Sequence, residues 1–276
     1  MSRQQRRQNL KQGLDTVSKR GMDLNARQNE QWWSVAAAAR ILYDILDTRS
    51  ATRASNAAKR AHQFFETSLE RNPSDHKIEC GKGCSFCCHV SVTAMAPEIF
   101  LVANQLRAAY PNDFDARLTR LRVADANTRG LDSYNRALKK LPCGLLENDG
   151  CSVYSARPSA CRGMTSIAMV MCQRAFNGEN VQVQTPAVWT ILRNAHKQAM
   201  WAALVAAGLP AESYEFHQAL VTVLDTPDAE SRWLAGEDVF AGCAREAASP
   251  AEREHNRQII DQLVAGALGK EPPQAN

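Results

Sequence analysis

The sequence contains no run of about 18 apolar residues, the length that a membrane-spanning helix needs, and no apolar stretch follows the basic segment at its start. The second absence excludes a secretory signal. No glycine-rich phosphate loop, Gly-x-Gly-x-x-Gly motif or His-Glu-x-x-His motif occurs. Nucleotide-dependent and metalloprotease chemistry therefore lose support. We expect a cytoplasmic protein that has no membrane partner.

Cysteine is the residue type that the chain has in excess. Nine cysteines in 276 residues are many for a protein in a reducing compartment but too few for a fold built on disulfides. The length allows one or two domains, and 45% hydrophobic residues with 22% charged residues are typical of a globular protein. The cysteines therefore predict a metal site or a catalytic site.

Four of these cysteines lie within nine residues, in the segment Cys80-Gly-Lys-Gly-Cys84-Ser-Phe-Cys87-Cys88. Thiolates at such short spacing suit zinc or iron far better than an ion that prefers oxygen. The two glycines favour a loop through the first half of the segment. We therefore expect Cys80 and Cys84 on a glycine-rich knuckle, Cys87 and Cys88 on the first turn of a helix, and His89 pointing away from the cluster.

Adjacent Cys87 and Cys88 are difficult to place around one tetrahedral ion, because neighbouring side chains diverge on a helix or a strand. Two ions, or a cluster with several iron atoms, would use both thiols. The alternative is that one of the two is a buried small hydrophobic residue, as free cysteine often is.

A second cysteine group comprises Cys143, Cys151, Cys161 and Cys172. Between the first two, Asn148-Asp149-Gly150 predicts a tight turn in a small hairpin, which would bring them together. Pro158 then redirects the chain so that Cys161 can return to the same site. Cys172 is expected in a helix that starts near Ser166.

The combined pattern, Cys-x3-Cys-x2-Cys-Cys and then Cys-x7-Cys-x2-Tyr-x2-Arg-Pro-x2-Cys-Arg, resembles the YkgJ-type cysteine cluster family (CxxCxxCC). Members of that family are described as zinc- or iron-chelating proteins. The resemblance extends over about Cys80 to Cys172, a third of the chain, and implies metal binding. Flagellin lysine-N-methylases carry a related cluster, so an enzymatic role stays open.

The predicted metal ligands exceed the four that a single tetrahedral ion accepts, so we expect one region with more than one metal atom. Two zinc sites would fit, and so would an iron–sulfur cluster beside another site. The eight ligands are Cys80, Cys84, Cys87, Cys88, Cys143, Cys151, Cys161 and Cys172.

Two arginines and the ninth cysteine complete the predictions for the site. Four thiolates around one divalent ion leave a net charge of about −2, and a nearby guanidinium can offset it. Arg157 and Arg162 are expected to do so, the alternative being surface charge on a turn. Cys243 has no cysteine or histidine close to it in sequence and is expected to be the spare thiol.

The N-terminal region is basic, with twelve Lys and Arg against five Asp and Glu over residues 1–60. Such an arm could bind nucleic acid. The pattern favours a solvated helix start instead, because no aromatic residue is interleaved with the charges before Trp32.

The predicted fold is mainly α, a bundle-like single unit with a small β-knuckle at the cysteine-rich metal site. An N-terminal helical hairpin would occupy residues 1–75, the cysteine core 76–180, a C-terminal helical scaffold 181–269 and a disordered tail 270–276. Three functions remain open: chelation of zinc or iron, an iron–sulfur protein with redox or methylation-related activity, and nucleic-acid binding. No protein partner or substrate follows from the residues.

Overall fold

Helices make up most of the structure, a computed structural model that describes residues 35–81, 83–246, 261, 264 and 265. The mainly helical fold is confirmed, with only two short antiparallel strand pairs in the part of the chain that is described. The basic segment 1–20 and the tail 270–276 lie outside the described residues. None of the described helices is long and apolar enough to cross a membrane.

The first described helical segment covers residues 35–46. The helices that follow are α1 (Arg53–Arg71), α2 (Ala96–Ala109), α3 (Phe114–Thr128), α4 (Ser133–Lys139), α5 (Ser159–Arg162), α6 (Met169–Phe176), α7 (Ala187–Ala206), α8 (Phe216–Asp225) and α9 (Ala229–Leu234). The strands are β1 (Thr93–Met95), β2 (Leu146–Glu147), β3 (Gly150–Cys151) and β4 (Ser213–Glu215).

Helix α1 is central to the packing because its buried face is lined by small residues. Ala54, Ala57, Ala58 and Ala61 are buried there, and α1 packs against both α2 and α7. Alanine side chains let helix axes approach closely, and alanine is also the best helix former. Two helical segments, 35–46 and α1, follow each other in the N-terminal region, and α1 ends two residues before Pro73, which disfavours continued helix. The hairpin over residues 1–75 stays a prediction.

A strand pair that the sequence did not predict joins the segment before α2 to the segment before α8. Strands β1 and β4 pair antiparallel, with Thr93 opposite Glu215. Strand β1 begins at Thr93, four residues after the end of the 3-10 turn that carries Cys87 and Cys88. Each strand leads directly into a helix, β1 into α2 and β4 into α8. The pairing of β1 with β4 therefore places the residues that follow the first cysteine group beside the start of α8.

The predicted β-knuckle is confirmed as the β2–β3 hairpin, in which Leu146 lies opposite Cys151. Its turn residues Asn148 and Asp149 have φ values of 47° and 58°. Two consecutive left-handed residues define the turn whose twist matches that of the flanking strands.

Helices α3 and α4 bury only part of their apolar residues. Leu118 and Leu121 are buried, whereas Val123 and Leu138 are 56% and 59% exposed. The buried stripe of α3 continues through Ala124 and Thr128, in steps of three and four residues. Val123 lies two residues after Leu121, on the opposite side of the helix.

A buried carboxylate connects this core to the cysteine region. Glu98 Oε1 accepts a hydrogen bond from the Ser159 backbone N–H at 2.7 Å, and Oε2 accepts one from the Met95 N–H at 3.2 Å. His62 Nε2 is 3.6 Å from Oε1. Burial raises the pKa of Glu98, but the contacts with His62 and Ser159 outweigh it and lower the pKa overall. Since Ser159 begins α5, Glu98 fixes the start of the helix that carries Cys161.

Replacing Glu98 with alanine should destabilise the protein by about 2–4 kcal/mol at pH 7, because two buried N–H groups lose their acceptor. Because the folded pKa is lowered, the carboxylate stabilises the fold above its unfolded pKa and loses this effect as the pH falls through the folded value. Urea unfolding at a series of pH values measures both effects. Glu70→Ala, at an exposed position of α1, is the control. An equal, small effect of the two substitutions would contradict this prediction.

Candidate metal centre

Backbone hydrogen bonds join the first cysteine segment to the second at two points. The Cys143 N–H donates to the Cys88 carbonyl at 2.8 Å. At the other end, the Glu79 N–H donates to the Ser166 carbonyl at 3.1 Å, and the Ser166 N–H donates to Cys80 Sγ at 3.1 Å. The two segments are therefore held together by groups that do not depend on metal.

The first segment has the predicted glycine loop followed by a helical turn. Gly83 has a φ of +91°, a value that only glycine adopts without strain. The Cys84 N–H closes the loop on the Gly81 carbonyl at 3.1 Å. Cys87 and Cys88 then lie on a single 3-10 turn, Phe86–His89.

The second group is spread over three kinds of structure. Cys143 precedes the hairpin, Cys151 ends β3, Cys161 lies on α5 and Cys172 on α6. The α6 helix begins at residue 169, three residues later than expected, and the Met169 N–H there donates to Glu79 Oε2 at 2.7 Å. A carboxylate at a helix N-terminus is stabilising.

The eight cysteines line two cavities that have walls in common. The first cavity has a volume of about 470 Å³ and the second about 430 Å³. Cys84 and Cys87 line both. The first is also lined by Cys80 and Cys172, and the second by Cys88, Cys143, Cys151 and Cys161. The structure thus brings all eight predicted cysteines into one region.

Three of the sulfurs accept hydrogen bonds in the same local way, from the backbone N–H two residues further along the chain. Burial raises the pKa of each of these thiols, and the bond offsets part of that increase. The repetition means that the local backbone is already arranged to favour thiolates. The donors and acceptors are Phe86 to Cys84, Leu145 to Cys143 and Val153 to Cys151.

Burial and crowding act in the opposite direction and dominate. Burial raises the pKa of Cys143 to about 11, and the nearby Cys151 adds to the increase. The pKa of Cys161 is raised by burial and then by Cys143 and Cys151. Cys87 is the exception, since a hydrogen bond from Cys88 lowers its pKa to about 7. A bound cation would offset the penalty that keeps Cys143 and Cys161 protonated.

The donor set fits zinc or iron in kind. All nine cysteines are free, and eight of them surround the two cavities. Within residues 35–81 and 83–246, however, no three His, Cys, Asp or Glu side chains are already placed around one ion. Binding therefore requires thiols to turn about their Cα–Cβ bonds into other staggered positions. The cavities provide the space for that rotation.

The two arginines have different surroundings. Arg157 lines the second cavity, and its guanidinium carbon lies 3.9 Å from the centre of the Tyr154 ring. Arg162 is 5% exposed and donates to Glu66 and to the carbonyls of Ser155 and Arg157. Arg157 is thus the arginine that faces the thiols, while Arg162 holds the turn before Cys161. Charge compensation by the pair stays a prediction.

His217 is the residue at the site that the sequence did not identify. It is 1% exposed, and its Nε2 lies 3.4 Å from Cys143 Sγ and 3.4 Å from the Gly144 nitrogen. Its Nδ1 is 3.3 Å from Thr128 Oγ1. Burial and the charge of Arg136 lower the pKa of His217 to about 3, so the ring is neutral. A residue 74 positions from its cysteine leaves no local signal in a single sequence.

His89 was expected to point away from the cysteines, but it lines the first cavity. Its Nδ1 lies 3.1 Å from the Ser85 carbonyl oxygen, and its ring centre is 4.9 Å from that of Phe176. The difference arises because the helical turn is a 3-10 turn, which places residues at other angles than an α-helix does.

Comparison with protein families agrees with this geometry. Residues 79–185 match the model of the CxxCxxCC family, described as "Putative zinc- or iron-chelating domain". The matched residues, less than half of the 276-residue chain, contain all eight cysteines of the two cavities. The resemblance to a CxxCxxCC zinc- or iron-chelating domain, inferred from the cysteine spacing, is confirmed for these residues. No curated protein and no solved structure matches the chain.

Replacing Cys243 with serine should leave the metal content unchanged. Cys243 is buried, and its sulfur lies 3.4 Å from Thr222 Oγ1, which a serine hydroxyl can also reach. Cys84→Ser and Cys161→Ser should lower the metal content, because each removes a thiol from a cavity wall. Elemental analysis of purified, dialysed variants measures the difference. Equal metal loss from all three would show that Cys243 belongs with the others.

Proposed function

We propose that this protein binds more than one zinc or iron atom through the eight cysteines that line the two cavities. The observation that carries the proposal is the convergence of two cysteine groups, separated by more than fifty residues, on cavities that share Cys84 and Cys87. The match of residues 79–185 to a zinc- or iron-chelating domain supports the same chemistry. Free thiols throughout agree with a reducing location such as the cytoplasm.

The eight thiols divide naturally into two sets of four. Adjacent side chains diverge, so Cys87 and Cys88 can serve different metal atoms. Cys87 faces both cavities, whereas Cys88 faces only the second. The proposed sets are Cys80, Cys84, Cys87 and Cys172 in the first cavity and Cys88, Cys143, Cys151 and Cys161 in the second.

The surrounding residues would hold the ligands and exclude water. The Ser166 N–H orients the Cys80 sulfur, and the link from the Cys143 N–H to the Cys88 carbonyl keeps the two groups at a fixed separation. Arg157 would offset part of the thiolate charge. Zinc would supply structural stability or Lewis acidity in such a site, and an iron–sulfur cluster would supply electron transfer.

Two roles follow from these two chemistries. The first is a zinc or iron protein in which the metal is structural or a cargo to be delivered. The exposed Cys87, which lines both cavities, favours this role because it gives a metal ion access from solvent. The second is an iron–sulfur protein with redox or methylation-related activity. It is favoured by the adjacent Cys87 and Cys88, which a cluster with several iron atoms accommodates more readily than one ion does. Nucleic-acid binding gains no support from the described residues.

Purification without oxygen, followed by elemental analysis and a visible spectrum, should find more than one metal atom per chain, because eight thiolates exceed the needs of one tetrahedral ion. A zinc protein would be colourless and stable in air. An iron–sulfur protein would be brown and would be bleached by reduction or oxygen. One metal atom or fewer per folded chain would contradict the proposal.

Two double variants should separate the sites. Cys80→Ser with Cys172→Ser removes ligands from the first cavity alone, and Cys143→Ser with Cys161→Ser removes them from the second alone. For two separate sites, each double variant should keep about half of the metal, since an intact set of four thiols is enough for one ion. Complete loss from both double variants would indicate a single cluster that needs all eight thiols.

A further inference from the structure

We propose that His217 is a further metal ligand, which binds through Nε2 in the second cavity beside Cys143. This inference rests on the proposed function and names a donor that lies outside the matched domain at residues 79–185. His217 lines the second cavity together with Cys88, Cys151 and Cys161, and two of these three thiols would complete a set of four donors with Cys143 and His217.

The hydrogen bonds around the ring place the imidazole proton on Nδ1. The Thr128 hydroxyl donates to the Ala124 carbonyl at 2.8 Å, so its oxygen is left to accept from Nδ1–H at 3.3 Å. The Nε2 lone pair then faces Cys143 Sγ and accepts only a long contact, 3.4 Å, from the Gly144 N–H. A histidine ligand in metal sites commonly has its other ring nitrogen bonded in this way, which fixes the ring and its tautomer.

The distance between the two donor atoms suits one metal ion. Nε2 and Cys143 Sγ are 3.4 Å apart. Zinc–sulfur bonds of about 2.3 Å and zinc–nitrogen bonds of about 2.0–2.1 Å, meeting at a tetrahedral angle, separate sulfur and nitrogen by roughly 3.6 Å. The pair therefore needs almost no movement to share an ion, whereas the other thiols must rotate.

Rigid elements hold His217 in this position. It is the second residue of α8, directly after β4, and the preceding Phe216 N–H donates to the Val92 carbonyl at 3.0 Å. Strand β4 pairs with β1, which follows the first cysteine segment. Donors mounted on paired strands and helices are placed more accurately than donors on loops.

Charge also favours a neutral ligand in this cavity. Four thiolates around a divalent ion carry a net charge of about −2, and three thiolates with one imidazole carry about −1. The buried Arg136 is already paired with Glu215 at 3.1 Å, so Arg157 is the cation left to face the sulfurs. An excess of buried charge is expensive. Replacing one thiolate by His217 would reduce the excess negative charge in the second cavity.

Buried histidines are also found for purely structural reasons, and this chain offers one as a matched control. His196 is 8% exposed, its Nε2 lies 3.4 Å from Ser68 Oγ, and its ring packs against Phe65 at 5.6 Å. It lies outside both thiol-lined cavities. Substitution of His196 therefore removes a buried imidazole without removing a candidate ligand.

The test is cobalt(II) titration of the full-length apoprotein and of the variants His217→Asn, His217→Cys and His196→Asn, monitored by absorption. Asparagine can keep a polar group near Thr128 but has no atom in place of Nε2. We expect His217→Asn to weaken cobalt binding at one site by at least about 10-fold and to shift the ligand-field bands. His217→Cys should restore binding with stronger sulfur-to-cobalt absorption, and His196→Asn should match the unchanged protein.

A cobalt spectrum and affinity for His217→Asn equal to those of the unchanged protein would overturn the inference while leaving the proposed function intact. If the unchanged protein itself binds no more than one cobalt ion, the proposed function fails instead. If His217→Asn does not fold, the absorption of His217→Cys tests the inference instead, because a new thiolate ligand must strengthen the sulfur-to-cobalt absorption. Unchanged absorption in that variant would also overturn the inference.

Discussion

Crowding of eight thiols around two cavities that share Cys84 and Cys87 is the strongest physical constraint on the metal region. Burial raises the pKa of Cys143 to about 11, and neighbouring thiols add to the effect at Cys161. The same backbone directs N–H groups at several of these sulfurs, as the Ser166 N–H does at Cys80. Backbone N–H groups favour thiolates, whereas burial and the neighbouring thiols oppose them. A bound cation would resolve this opposition, because it offsets the negative charge and leaves the ligands in place.

The helical scaffold holds the cysteine segments in fixed positions, which their own short elements do not provide. The cysteine segments have little regular structure beyond one hairpin, three short helical turns and the eight-residue helix α6, so their arrangement depends on the helices behind them. Glu98 on α2 holds the Ser159 N–H at the start of α5, and the β1–β4 pair holds the start of α8 against the chain that follows the first cysteines. A site built on short segments needs such fixed supports if its ligands are to meet in one geometry.

The sequence predicted the features that depend on local chemistry and missed those that depend on distant contacts. The hairpin followed from Asn148-Asp149-Gly150, and the glycine loop followed from the residues before Cys84, because turn conformations are set by the residues within them. The pairing of β1 with β4 joins segments more than a hundred residues apart, and three-residue strands are too short to show a period. His217 reaches Cys143 through such long-range contacts, including the packing of α8 on α2 and α3, so no spacing rule could have found it.

The sharing of Cys84 and Cys87 by both cavities means that the two proposed sites are not independent. An ion in one cavity would draw these thiols towards it and fix their rotamers, and it would also remove negative charge from the wall of the other cavity. Fixing the rotamers reduces the side-chain entropy that is lost when the second ion binds. The loss of negative charge weakens the attraction for the second cation. The two effects oppose each other, and their balance sets the sign of the coupling between the sites. A neutral donor at His217 would make the second cavity less dependent on thiolate charge, and so would reduce the electrostatic part of that coupling.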